Sequence, residues 1–404
     1  MTQSPNRPSD NYVPTYFLAS LGAGGLAVTF FMYLMFWVPH KGKPVPTFED
    51  ISTAFATGDF PLQAAIAIAV LGIAAFAILN VKSLIWNLSA LSAFHKTEGY
   101  SKLRATNAES TLLAMPLALA MTVNALFIVG LVFVPGLWSV AEFLFPAALI
   151  AFAAIAVIAF RLIGQFLGRV LAKGGIFDVT AHNSFAQMLP AFALAMVAVG
   201  MSAPSAMSTN PTTVGMSIVM STFMGTAAIL YSVLALFTAV NSMLHHGTAK
   251  EAAPTLMIVV PLMTVLGIMF LRQNHGLHTT FETHASAGET LVLLARLIAV
   301  QVLFLMLGVL VLRRQGYFVD FVFGQKTSPG SYALVCPGVG FAVMVHFFVN
   351  KGLVGAGIIE KFGLAYWSLT AIALISQFAM IVLVWRLNRQ HFPRRVQPTS
   401  VPAE

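Results

Sequence analysis

The chain has 404 residues, of which 58% are hydrophobic and 9% charged, with a mean hydropathy of +0.83. A soluble domain carries about 25% charged residues, so a mostly wetted surface is excluded. The net charge of +8 does not point to nucleic acid, because the basic residues fall mostly in short connections between apolar runs, as loop Lys and Arg do in membrane proteins.

Ten segments have the length and apolarity of a bilayer-spanning helix. In order they are Val13–Val38, Leu62–Leu91, Thr111–Val134, Ala141–Phe160, Ser184–Met201, Met216–His245, Ala253–Leu271, Glu289–Leu312, Ser331–Asn350 and Ala365–Trp385. The first is too long for a signal-peptide core and has no small-residue cleavage pattern after it, so it is expected to be retained. The connections are short and contain no Ser/Gly linker, which predicts one ten-helix domain over residues 13–385. Residues 1–12 and 386–404 read as polar, proline-bearing tails without fixed structure. Fifteen of the 22 Lys and Arg lie on the side of the tails and the even-numbered connections, and five on the other; Lys82 and Arg296 fall inside spans. That bias predicts a multi-pass protein of the plasma membrane (a bacterial inner membrane) with both termini cytoplasmic.

Spans 3, 5, 7 and 9 each carry a proline several residues from their start, at Pro116, Pro190, Pro261 and Pro337, while spans 2, 6, 8 and 10 have none. Proline removes a helical hydrogen bond and clashes with the preceding turn. The odd spans are therefore expected to be kinked and internal, and the even ones straight and peripheral, as five hairpins around a central axis. Span 1 has the glycine run Gly22, Gly24 and Gly25 instead, and span 4 is the exception among the even spans, with Pro146.

Span 9 holds Cys336, the only cysteine, followed at once by Pro337, Gly338 and Gly340. Helical spacing puts Gly340, Val343 and Phe347 on the face of Cys336. A buried cysteine is usually an inert small hydrophobe. The adjoining proline and glycines favour a kinked, thiol-bearing point inside the bundle, because freed backbone groups survive in lipid only where protein or a water-lined cavity satisfies them. With no second cysteine, any disulfide would need another molecule.

Ten spans as five hairpins resemble the tellurite-resistance TehA and plant slow-anion-channel superfamily. The opening Val13-Pro14-Thr15-Tyr16-Phe17 with Leu21 to Ala27, and Ala114-Met115-Pro116 in span 3, are similar to its first and third helices. The resemblance implies an anion channel or transporter, trimeric by analogy. It also implies a span-9 phenylalanine before a proline plugging the pore; here Cys336 stands in that place and Pro337 would be the family proline. The Cys-Pro-Gly motif is also similar to the TsoY family of membrane (seleno)proteins.

Other polar residues divide between function and packing. Arg296, inside span 8, marks an ion path, or a pair with Glu289 or Glu142, or snorkels. Asn124, Asn241, Gln187 and Gln377 suit hydrogen bonds between helices. The connection Arg272–Ser286 reads as a solvated loop; its His275, His278, Glu282 and His284 are weak metal candidates without a specific ligand spacing, or an anion-attracting vestibule. No P-loop, Gly-x-Ser-x-Gly or Cys-x-x-Cys motif is present, so no cofactor and no ATP-driven step are expected, and the lipid bilayer is the expected partner.

Two functions follow. One is a channel or secondary transporter for a small anion, its path formed by Gly22, Gly24, Gly25, Pro116, Asn124, Pro190, Pro261, Cys336, Pro337, Gly338, Gly340 and Arg296. The other is membrane thiol-redox chemistry on a sulfur or selenium species through Cys336.

Overall fold

The computed structural model describes residues 12–174, 177–178, 180, 183–283 and 286–392. Every regular element among them is helical, and ten helices are long and apolar enough to cross a membrane. In order, spans 1 to 10 are Pro14–Trp37, Phe60–Phe94, Asn107–Phe133, Leu137–Lys173, Phe185–Met207, Pro211–His246, Lys250–Phe281, Ala287–Arg314, Pro329–Val354 and Leu364–His391. The chain is an all-α, multi-pass membrane protein.

Burial separates the spans into two sets. In the most apolar stretch of spans 1, 3, 5, 7 and 9, 89, 61, 94, 78 and 89% of residues are buried; in spans 2, 4, 6, 8 and 10 the share is 28, 33, 28, 22 and 28%. The odd helices therefore form an inner ring and the even ones an outer ring, whose free faces meet lipid.

The same alternation exists in the backbone. Each odd span opens as a 3₁₀ helix and then changes to α: Pro14–Tyr16, Asn107–Leu113, Phe185–Met188, Lys250–Met257 and Pro329–Leu334 precede the α segments. The prolines explain the change in four of the five. Pro116, Pro190, Pro261 and Pro337 all stand in the first turn of the α segment, where a missing N–H costs least. The carbonyls they leave without an α-helical donor, four residues back, are those of Leu112, Ala186, Met257 and Ala333, all in the 3₁₀ turns. The expected mid-helix kinks are thus changes of helix type near the start of each span. The even spans each run as one unbroken α-helix, Pro146 included.

Buried polar side chains tie the rings together. Ser20 Oγ donates to Asn80 O (2.9 Å) and Asn80 Nδ2 to Ser20 O (2.8 Å), joining spans 1 and 2. Gln301 Nε2 donates to Thr264 Oγ1 (2.7 Å), and Thr264 in turn donates to Gly340 O (2.9 Å), linking spans 8, 7 and 9. Tyr33 donates to Gln377 Oε1 at 2.8 Å between spans 1 and 10. Near the start of span 3 the buried carboxylate of Glu109 pairs with both Arg104 and Arg169. A buried carboxylate needs such partners to remain charged.

Several boundaries differ from the sequence reading, the largest at span 4, which begins at Leu137 and runs on past the expected Phe160 to Lys173. Span 7 remains helical through Phe281, so most of the expected loop Arg272–Ser286 is helix. Span 10 runs to His391, because Arg386 donates to the carbonyls of Val322 and Phe323 in the connection before span 9. Tyr12 is buried, its hydroxyl on Asn87 Oδ1 at 3.2 Å, so the packed part begins within the expected tail. The remainder of both tails, 1–11 and 393–404, lies outside the described residues.

Candidate functional site

A cavity of about 610 Å³ occupies the axis of the inner ring, with wall residues from all five odd spans. It opens at the end opposite the described chain termini. Span 9 crosses its length: Cys336, Gly340, Val343, Phe347 and Lys351 all line it. The face drawn through the first four by helical spacing is the face turned to the cavity. From Cys336 to Lys351 the depth is roughly 22 Å at the helical rise per residue.

The glycines of span 1 set how closely the helices approach. A Cβ on Gly22 would lie 2.8 Å from Val335 Cγ1, and one on Gly25 2.7 Å from Val339 Cγ1, so both hold span 1 against span 9 at the cavity wall. Gly24 turns the other way, toward Met121 and Asn80, and lines neither the cavity nor the smaller void toward the termini. Gly338 packs on Met380 of span 10, and its carbonyl accepts from Ser376 Oγ at 2.9 Å. Gly340 faces Pro261 and Thr264. Of the sequence-predicted path residues, Gly22, Gly25, Asn124, Pro261, Cys336 and Gly340 therefore meet at the main cavity. Gly24, Pro116, Pro190, Gly338 and Arg296 do not, and Pro337 lies beneath it.

Arg296 is exposed on span 8. The buried stripe of that helix runs through Leu294, Leu297, Gln301 and Gly308, and position 296 is off it. Neither expected pair forms among the described residues. Glu142 accepts from Ser208 Oγ and the Thr209 amide, both at 2.6 Å, and Glu289 caps its own helix against the Ser286 amide at 2.8 Å.

The cations at the cavity are instead Lys351 and Arg272, the latter carried onto the wall by the helical extension of span 7. Arg272, His275 and His278 follow at three-residue spacing on one face and all line the mouth, together with Lys351 from span 9. Arg272 is half-buried, and its Nη1 donates to Val199 O at 2.7 Å. None of the ion pairs among the described residues includes it. No Asp or Glu is among the described residues that line the cavity. Lys43, in the connection next to the mouth, contrasts with it: Lys43 Nζ sits 3.0 Å from Asp50 Oδ2. Burial raises the Asp50 carboxyl, but the Thr47 amide and Lys43 outweigh it and hold it below the usual range. Lys43 is thereby neutralised; Arg272 is not.

As for metal, Glu282 ends span 7 in a left-handed conformation, φ 54°, and His284 lies outside the described residues. No group of three His, Cys, Asp or Glu is placed to hold an ion among the described residues.

At its inner end the cavity stops at a septum. A second void of about 20 Å³, lined by Leu18, Leu189, Pro254, Ile258, Ala333 and Pro337 among others, lies beyond it toward the termini. Phe192, Pro261 and Cys336 line both spaces. Phe192, from span 5, is 2% exposed and supplies the bulk of this partition. A ring does stand at the closure, but it comes from span 5, and Cys336 lines the same two spaces. His346 has no part in the site; it is buried against the rings of Tyr33, Phe36 and Trp37.

Sequence reasoning missed Arg272, Lys351 and Phe192. The three-residue spacing of 272, 275 and 278 was the available signal for the first. Nothing in the order of residues singles out Phe192 among 33 phenylalanines. Ten apolar helices around an axial cavity are the build of a membrane transporter or channel. No protein-family model matches this chain, and a search of curated proteins finds no match.

Proposed function

We propose that the chain is a channel or secondary transporter that carries an anion along the axis of its odd-numbered helices, as the resemblance to the TehA and slow-anion-channel superfamily implies. The supporting observation is the charge of the cavity: Arg272 and Lys351 line its mouth beside His275 and His278, and no carboxylate does among the described residues. Cations fixed at the mouth of a low-dielectric cavity attract anions and repel cations. Phe192 and Cys336 form the closure, so the path rests shut and opens when that partition moves.

Flux from proteoliposomes tests this on the wild type and on Phe192→Ala together. Nitrate or halide release with retention of potassium is the expected result. Absence of any anion movement in both proteins overturns the proposal. The redox alternative needs a thiol or chalcogen from another molecule, since Cys336 is the only cysteine. Cys336→Ser separates the two in the same assay, because a path keeps its flux with serine there and a redox centre loses its activity.

A further inference from the structure

The proposed anion path also carries information about the size and chemistry of what it holds. A bare inorganic ion occupies little of about 610 Å³; a water-sized solute takes about 30 Å³ in the liquid. Spaces of about 300–1,000 Å³, mostly apolar with a few convergent polar groups, are the ones that hold organic ligands.

The lining is also graded along the axis. The charged groups are confined to the mouth, and the body is walled by side chains such as Phe127, Phe152, Val265 and Val343. Met32, Met35, Met121, Met196 and Met207 contribute further wall, and thioethers adapt to varied apolar shapes. Asn124 and Thr264 are the polar side chains between the mouth and Cys336, and both are committed. Asn124 Nδ2 donates to Ala120 O at 2.9 Å and faces Met196 Sδ at 3.9 Å. The single Thr264 hydroxyl proton goes to Gly340 O at 2.9 Å, with Val260 O at 3.1 Å the alternative acceptor, and the hydroxyl oxygen accepts from Gln301.

An inorganic ion in the body would thus lose its hydration without gaining donors, which is costly. An anion that brings its own apolar body meets both parts of the wall favourably. Its head meets Arg272, which has guanidinium hydrogens beyond the one given to Val199 O, and its body replaces water among methionines and phenylalanines.

Resting on the anion-path reading, we propose that the cavity takes an amphiphilic organic monoanion, a carboxylate or sulfonate on an apolar body. The head lies at Arg272 and the body reaches down toward Phe192 and Cys336. The single deep guanidinium matches one charged head; a second charge would have to lie in the apolar part.

Calorimetric titration of the full chain in lipid nanodiscs, with empty nanodiscs subtracted, tests this using naphthalene-2-sulfonate and its neutral counterpart naphthalene-2-sulfonamide. The expected result is one sulfonate per chain, bound at least about tenfold more tightly than the sulfonamide, with that preference lost in Arg272→Gln. Equal binding of the two probes, or no binding of either, overturns the proposal. If nitrate or halide still moves in proteoliposomes while the sulfonate does not bind, this inference alone fails. If no anion moves or binds, the anion-path reading fails with it.

Discussion

Phe192→Ala is expected to raise anion flux by at least about tenfold, equivalent to removing about 1.4 kcal/mol from the barrier. Phe192, Pro261 and Cys336 are the residues common to the main cavity and the small void beyond it. Pro261 is fixed by the helix start, and the thiol is small, so the ring is the one bulky group whose removal joins the two spaces. Truncating a buried phenylalanine costs about 3–5 kcal/mol of stability, so the flux must be compared with Phe192→Leu, which keeps most of the bulk and is expected to stay near wild type. Thermal unfolding in detergent would show that both variants are folded. A folded Phe192→Ala protein with unchanged flux would remove Phe192 from the closure.

Arg272→Gln is expected to weaken anion binding and reduce anion flux by about ten- to hundredfold. A hydrogen bond to a charged group contributes about 1.5–3 kcal/mol, and each 1.4 kcal/mol is about tenfold in affinity. The loss should fall on affinity, seen as a raised half-saturation concentration, because glutamine retains a donor for Val199 O, the bond that holds the side chain at 2.7 Å in the native protein. Arg296→Gln is the matched control. It removes the same charge from an exposed position on span 8 and is expected to leave flux unchanged. Equal loss in the two variants would mean that bulk surface charge, and not the mouth, attracts the anion.

Ten spans, their order and the division into inner and outer rings were legible in the sequence, because length, apolarity and proline placement are local. The prolines pointed to the right helices for a slightly different reason: they mark the change from 3₁₀ to α in the first turn, and no mid-helix bend. The end of span 7 was not legible by apolarity. Arg272, Gln273, Asn274 and His275 end the hydrophobic run, yet the helix continues to Phe281, because Arg272, Asn274 and His275 face a cavity that only the assembled bundle creates, and Gln273 donates to Ser221 of span 6. Arg296 misled for the opposite reason. A charge inside an apolar run suggests an internal site, whereas the buried stripe through Leu294, Leu297 and Gln301 turns it outward. Gly24 and Gly338 are close-approach residues toward Asn80 and Met380, and the direction a glycine faces depends on its neighbours. Phe192 became identifiable only once the space on either side of it was known.

Because Cys336 is unique in the chain and lines the inner end of the cavity, its labelling measures whether the axis is open to water down to the partition. Membrane-impermeant 2-sulfonatoethyl methanethiosulfonate would be applied to each side of oriented vesicles. The thiolate displaces methanesulfinate, and the mixed disulfide is read as a mass increase. Modification is expected from the side opposite the termini and none from the terminal side. A cysteine that stays unmodified from the mouth side, but reacts once the protein is denatured, would contradict it.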